Sequence, residues 1–303
     1  MALSLTTFTS SSAIGNREDL TDVIYRISPT QTPFVSLAAK GKATNTTHEW
    51  QTQDLAAASA GAGAAEGADA STKTVTATTR LKNYTQINTK SISVSNTQQS
   101  VNPAGRKDEL AYQMSLIALE IRRDIEASAT QNSVGATSPR KTKGLPNWCV
   151  DNYSKASDTT LASYTASSGT GTDRTKGTTR SFTESQLKDV LQQVFTAGGD
   201  PDTVLLPAAQ KQVFSTFSGN ATRFDKSEDA KLYAAIEVYA SDFGELKIIP
   251  DRFMDSSDVF VLQADKWAVS YLRPFATFDL ATTGDAMNKQ MVVNFVVETA
   301  SIH

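Results

Sequence analysis

Apolar positions recur at helical spacing between Arg106 and Gln131: Leu110, Met114, Ile117, Ala118, Ile121 and Ile125 share one face, while Lys107, Glu109, Glu120, Arg122, Arg123 and Glu126 fill the other positions. The run contains no Gly or Pro and follows the breakers Asn102-Pro103-Ala104-Gly105, so it predicts one long helix over 106–131. At about 1.5 Å per residue such a helix spans about 40 Å, enough to cross a whole domain. By pattern alone it is a core helix, and its neighbours decide what it is the core of.

Ahead of it, residues 1–18 are rich in Ser and Thr with scattered Leu3, Leu5, Phe8 and Ile14, too sparse for a core element, and read as an arm that gains order only on another surface. Arg17–Ser28 carries Leu20, Val23, Ile24 and Ile27 at helical spacing, and Pro29 and Pro33 stop it. Two Thr-rich runs, Thr44–Leu55 and Thr72–Ser95, favour extended structure. They flank a low-complexity Ala/Gly tip over residues 55–70 whose charges are Glu66 and Asp69. This is a long two-stranded excursion with a pliable end. A lone hairpin is marginal in water, so it either packs on another chain or is a surface loop of an ordinary sheet.

After the long helix, Gly135, Pro139, Gly144 and Pro146 break the chain around a compact basic group, Arg140, Lys141 and Lys143. Residues 151–181 are a polar Ser/Thr/Gly stretch, expected as a surface insertion or mobile loop. Leu187, Val190, Leu191 and Val194 then predict a helix ended by Gly198-Gly199. Thr203–Leu206 reads as a buried strand and Ala208–Phe217 as another helix, which suits an α/β layer. Strand candidates follow at Ala235–Tyr239, Leu246–Ile249, Val259–Gln263, Trp267–Leu272 and Met291–Ile302.

Composition narrows the partners. Over 303 residues, 29 basic against 32 acidic side chains leave a net charge of −3, so there is no cationic surplus for strong phosphate-backbone binding. The single cysteine, Cys149, excludes an internal disulfide and a zinc-type Cys cluster. No window approaches a continuous apolar span, and neither export nor membrane insertion is expected.

Catalytic chemistry finds little footing. The two histidines, His48 and His303, lie far from each other and from the cysteine, which leaves metal ligation and imidazole catalysis without support. Gly61-Ala62-Gly63-Ala64-Ala65-Glu66 has Glu66 where a dinucleotide fingerprint needs its third glycine, and no apolar strand ahead of it. Ser138-Pro139-Arg140-Lys141 matches SxxK formally, but its proline opposes the helix that would place serine beside lysine. Carboxylate pairs such as Asp251 with Asp255, or Asp225 with Glu228, are expected on solvated faces. The Arg140, Lys141, Lys143 group is expected either as a solvated loop or as a patch touching nucleic acid or an acidic neighbour. No catalytic, cofactor-binding or metal-binding residue is assigned.

The order of parts, arm, excursion, long helix, α/β region and returning sheet, resembles the major capsid protein of tailed bacteriophages with the Hong Kong 97-type (HK97-like) fold. The segment REDLTDVIYRISPTQTPFVSLAAKGKATNTTHEWQTQDL at 17–55 is similar to the SU-10-type major capsid family. So are GRKDELAYQMSLIALEIRRDIE at 105–126, TKGLPNW at 142–148 and FTESQLKDVLQQVFTAGGDPD at 182–202.

The resemblance implies an α+β capsid fold with an N-terminal arm at 1–43 and an extended loop at 44–95. It further implies a peripheral domain at 96–181 that holds the spine helix 106–131 and the polar insertion 151–181. An axial domain would cover 182–250, and 251–303 would return as strands, mainly to the peripheral domain. It implies a structural subunit, not an enzyme, that forms pentamers and hexamers of an icosahedral shell around double-stranded DNA, in a virion assembled in the host bacterial cytoplasm. Implied partners are further copies of itself, a portal, scaffolding and decoration proteins, and packaged DNA through weak non-specific contact, with no cofactor and no membrane. The arm begins almost at Met1, without the internal scaffold segment of some relatives, so scaffolding is expected from a separate protein or the chain is a processed form. Two alternatives stand beside this: an encapsulin-like nanocompartment shell, and a soluble α/β enzyme or sugar-binding module.

Overall fold

The computed structural model describes residues 28–53, 75–101, 108–165, 170–217, 238–282 and 284–300, with residues 55, 56, 58, 60, 61, 63, 65–69 and 105. The predicted arm over 1–18, the helix over 17–28 apart from Ser28, the Asp225/Glu228 pair and His303 lie outside the described residues.

In chain order the elements begin with α1 (Pro33–Leu37), β1 (Ala39–Lys42), β2 (Thr47–Thr52), β3 (Thr79–Tyr84), β4 (Gln86–Ser95), α2 (Asn96–Ser100) and α3 (Glu109–Thr130). There follow β5 (Ala136–Thr137), β6 (Arg140–Lys141), α4 (Leu145–Trp148), β7 (Ser163–Thr165), β8 (Thr170–Thr172), α5 (Glu184–Thr196), β9 (Thr203–Leu206) and α6 (Ala208–Phe214). The chain closes with β10 (Val238–Ser241), β11 (Gly244–Pro250), β12 (Phe260–Leu262), β13 (Trp267–Asp279) and β14 (Ala286–Thr299).

The long helix is α3. It starts at Glu109, later than the pattern suggests, because the Asp108 carboxylate accepts the Ala111 N–H at 3.0 Å and caps the first turn. Its apolar face, Ile117, Ile121, Ile125 and Ala129, is buried in the larger core. Glu109 and Glu126 do not lie on a solvated face as the pattern suggests, since both are buried.

Two four-stranded sheets organise the rest. In the first, ordered β1-β13-β14-β4, β14 is central, and Met291–Val297 is buried throughout. In the second, ordered β10-β11-β9-β12, all four residues of β9 are buried. Successive residues of β9 face opposite sides, so Leu205 enters the larger core while Val204 and Leu206 enter a second core with Leu187, Leu191, Phe214 and Tyr239. This sheet is therefore a wall shared by two hydrophobic cores. α5 lies on the second of them, and Thr183 and Gln186 close a capping box at its start.

Further boundaries depart from expectation. The Thr72–Ser95 run divides at Thr85: β3 pairs with β2, whereas β4 joins the first sheet antiparallel to β14. The strand predicted to stop at Leu272 continues to Asp279, because register shifts between Tyr271 and Ala276 accommodate Pro274, which cannot donate to the ladder. The helix predicted to Phe217 ends at Phe214.

Candidate functional site

β2 and β3 pair antiparallel from Thr47 opposite Tyr84 to Thr52 opposite Thr79, and the chain then runs out to the Ala/Gly tip. Leu55 and Val75 beyond the paired strands are 92% and 85% exposed, so the hairpin offers apolar side chains that the described residues do not cover. Its root is the opposite. Trp50 of β2 stacks on Trp148 of α4 with ring centroids 5.6 Å apart, and Trp148 meets Tyr164 of β7 at 5.3 Å. The Tyr164 hydroxyl donates to the Lys82 carbonyl at 2.6 Å and accepts the Lys82 N–H at 3.0 Å. The described part of the polar stretch 151–181 is thus pinned, by Tyr164 and also by ion pairs of Arg174 with Asp258 and Lys176 with Asp255.

Behind the rings lies Lys143, 1% exposed. Its Nζ stands 3.7 Å from the Trp148 ring centroid and 3.5 Å from that of Tyr164, and has no hydrogen-bond acceptor among the described residues. Burial pulls the amine down to about 7, and the two electron-rich ring faces act against that pull. Lys143 is therefore neither solvated nor available to nucleic acid, which corrects the reading of a three-residue basic patch. Arg140 is also drawn in, donating from Nε to the Thr85 carbonyl at 3.1 Å, and only Lys141 of the three stays exposed.

Polar bonds lock the same root to the first sheet. Asn83 donates from Nδ2 to the Val297 carbonyl at 2.6 Å and to Thr142 Oγ1 at 3.1 Å. Its Oδ1 accepts the N–H groups of Lys143 at 2.7 Å and Tyr84 at 2.8 Å, which fills the capacity of the buried amide. His48 pairs with Glu298 of β14, and that hydrogen bond holds the Glu298 carboxyl below its ordinary value. The histidine that sequence reading left without a partner is a strut.

No arrangement for catalysis emerges among the described residues. A cavity of about 330 Å³ lies between the polar segment, α5 and Ser256–Val261, but of the cations in its wall Arg174 is already paired with Asp258, also in the wall, and Lys176 with Asp255. Asp255 bonds Lys176 and Ser257, while Asp251 is buried, so these two do not act as a solvated pair. Ser138 and Lys141 belong to the β5–β6 turn and strand, not to a helix. Burial pushes the Cys149 thiol up to about 12, the reverse of an activated nucleophile. Among the described residues no group of His, Cys, Asp and Glu could hold a metal ion, and no helix is long and apolar enough to cross a membrane. Sequence reasoning missed Tyr164 and read Lys143 only as one of a basic group, since neither stands in a periodic run.

A family model described as SU10 major capsid protein matches residues 4–301. Over 316 aligned residues the chain is 25% identical to a protein described as the major capsid protein of Escherichia phage Phieco32, covering 92% of this chain and 90% of that one. Among solved structures, a chain from Microbacterium phage Oxtober96 superposes with a TM-score of 0.64 at 12% identity, over 96% of this chain and 93% of the other. A chain from the capsid of a native GTA particle gives 0.64 at 10% identity, over 99% and 97%. One from the Cyanophage A-1(L) capsid gives 0.62 at 13% identity, over 97% and 95%.

Proposed function

Starting from the fact that this chain belongs to the SU10 major capsid protein family, and is a structural subunit of a bacteriophage capsid with the α+β Hong Kong 97-type fold, we propose how it assembles. The subunit forms pentamers and hexamers of an icosahedral shell, and the β2–β3 hairpin is the extended loop that lies on a neighbouring subunit. One observation carries this reading: a root held rigid by Trp50, Trp148, Tyr164 and Lys143 ends in a projection whose Leu55 and Val75 are left uncovered. Exposed apolar side chains on such an arm are stabilised by burial against a second chain, and a symmetric shell uses the same contact at every subunit.

The two hydrophobic cores support a division into a peripheral domain around α3 and the first sheet, and an axial domain around α5, β9, α6 and β11. On this reading residues 1–43 form the arm, 44–95 the extended loop, 96–181 the first part of the peripheral domain and 182–250 the axial domain, with β1 at the end of the arm and β4 at the end of the loop joining the first sheet. Residues 251–303 return mainly to the peripheral domain. The shell encloses double-stranded DNA, and the net charge of −3 suits weak, non-specific contact with it. Its work is structural and not catalytic, its further partners are a portal with scaffolding and decoration proteins, and it assembles in the host bacterial cytoplasm. The Phieco32 relative is a major capsid protein, and the GTA and Cyanophage A-1(L) chains come from capsids, which favours this reading over a cellular nanocompartment.

The deciding experiment is negative-stain microscopy with light scattering on the protein expressed alone and with a scaffolding protein. Closed particles, or discrete pentamers and hexamers, are expected. A chain that stays monomeric under both conditions overturns the assembly proposed. A second measurement concerns the lining: shells that retain short duplex DNA strongly at physiological salt would contradict weak contact.

A further inference from the structure

The start of α1 is capped from a distance. Thr32, at its N-cap position, makes no side-chain cap bond. Instead Glu126, near the C-terminal end of α3, accepts the Phe34 N–H at 2.6 Å and the Val35 N–H at 2.8 Å, one on each carboxyl oxygen. Phe34 is fully buried and packs edge-on against Trp267, with ring centroids 5.9 Å apart. The same Glu126 shares a hydrogen bond with Asp251, which lies where the chain leaves β11. Glu126 is 0% exposed and Asp251 1%. Asp251 Oδ1 accepts the Phe253 N–H at 2.9 Å, while its Oδ2 is buried without a hydrogen-bond donor among the described residues.

Two carboxyl groups in hydrogen-bond contact in a site closed to water cannot both carry charge, so one proton lies between them. The surrounding charges do not relieve this. The loop contributes Asp251 itself and the adjacent Arg252, and α3 contributes Arg123, whose guanidinium sits over the Phe253 ring at 5.6 Å from its centroid. α1, with the sequence PFVSL, contributes no charge.

We propose that Glu126 and Asp251 form a proton-held catch that fastens α1, and the chain leading into it, to the spine helix and the junction of the two cores. Loss of the shared proton places two like charges side by side, and the segment around α1 is released. That this gives assembly a means of freeing the arm for a neighbouring subunit rests on the capsid reading; the catch itself does not. Burial raises both carboxyls, Glu126 to about 7 against an ordinary 4.5. A carboxyl whose folded value is raised contributes stability that is complete below its ordinary value and lost as pH rises through the folded one. The catch is therefore shut in acid and opens near neutrality.

Hydrogen exchange of the unassembled full chain tests this, read at the Phe34 and Val35 amides at about pH 5.5 and about pH 8.5 and corrected for intrinsic rates. Protection is expected to fall about tenfold or more across that interval, while amides of β9 keep theirs. In Asp251→Asn the carboxamide donates to Glu126 at every pH, so the profile is expected to be flat and protected. A flat wild-type profile overturns the proposal whether or not the variant folds, and so does an Asp251→Asn profile with the wild-type slope. Because this readout needs no shell, its failure is distinct from a failure to assemble.

Discussion

The Lys143 ammonium and the Tyr164 ring face each other at 3.5 Å from Nζ to centroid, with Trp148 closing the other side at 3.7 Å. A buried cation held by rings alone costs desolvation that the rings only partly offset, whereas the rings themselves fill the root of the hairpin. Lys143→Met should therefore leave the melting temperature unchanged or raise it near neutral pH, while Tyr164→Ala should cost about 3 kcal/mol or more by opening a cavity. The pH trend separates the two effects. With its folded value depressed to about 7, Lys143 penalises the fold most at low pH, and stability recovers as pH rises from there toward the ordinary 10.5. Lys143→Met should lose that rise in thermal unfolding runs, and a variant as damaged as Tyr164→Ala would refute this account.

His48 and Glu298 join the hairpin to β14 through a half-sheltered pair. A double-mutant cycle with His48→Ala and Glu298→Ala in urea unfolding should give a coupling of about 1 kcal/mol. The Glu298 carboxyl is depressed, so its contribution is present above the ordinary 4.5 and lost as pH falls through the lower folded value. Additive single effects would mean the contact carries no energy.

Gly144 sits where α3 and α4 approach, and an added Cβ would stand 1.9 Å from the Gln131 carbonyl oxygen. Neither backbone can yield cheaply, so Gly144→Ala should destabilise by about 1–3 kcal/mol in equilibrium unfolding. Gly61, with open space around it, should tolerate the same change within about 0.5 kcal/mol. Equal effects at both sites would remove the steric explanation.

Joining Thr52 to Thr79 by a short Asn-Gly turn removes the exposed tip but keeps the paired strands and the aromatic root. The shortened chain should unfold within about 1 kcal/mol of the parent and fail to form closed particles by light scattering. Closed shells of the shortened chain would show that the tip is dispensable for assembly.

What the sequence by itself determined is local or patterned. The Ile117, Ile121 and Ile125 stripe marks α3, Leu187, Val190, Leu191 and Val194 mark α5, and the apolar run Val204–Leu206 marks β9 as a buried strand, because periodicity acts over a few residues. The family resemblance was legible for a similar reason: it rests on contiguous segments such as TKGLPNW at 142–148. Only the tertiary structure decided which polar groups are buried and with whom. Glu126 reads as one more charge on a helix face until Phe34, 92 residues away, brings its amide to it. His48 reads as a lone histidine until Glu298, 250 residues on, arrives beside it. Lys143 reads as part of a basic loop until Trp148 and Tyr164 enclose it. A side chain's charge, burial and partner depend on the whole set of surfaces that close around it, and those surfaces come from segments whose meeting no local spacing encodes.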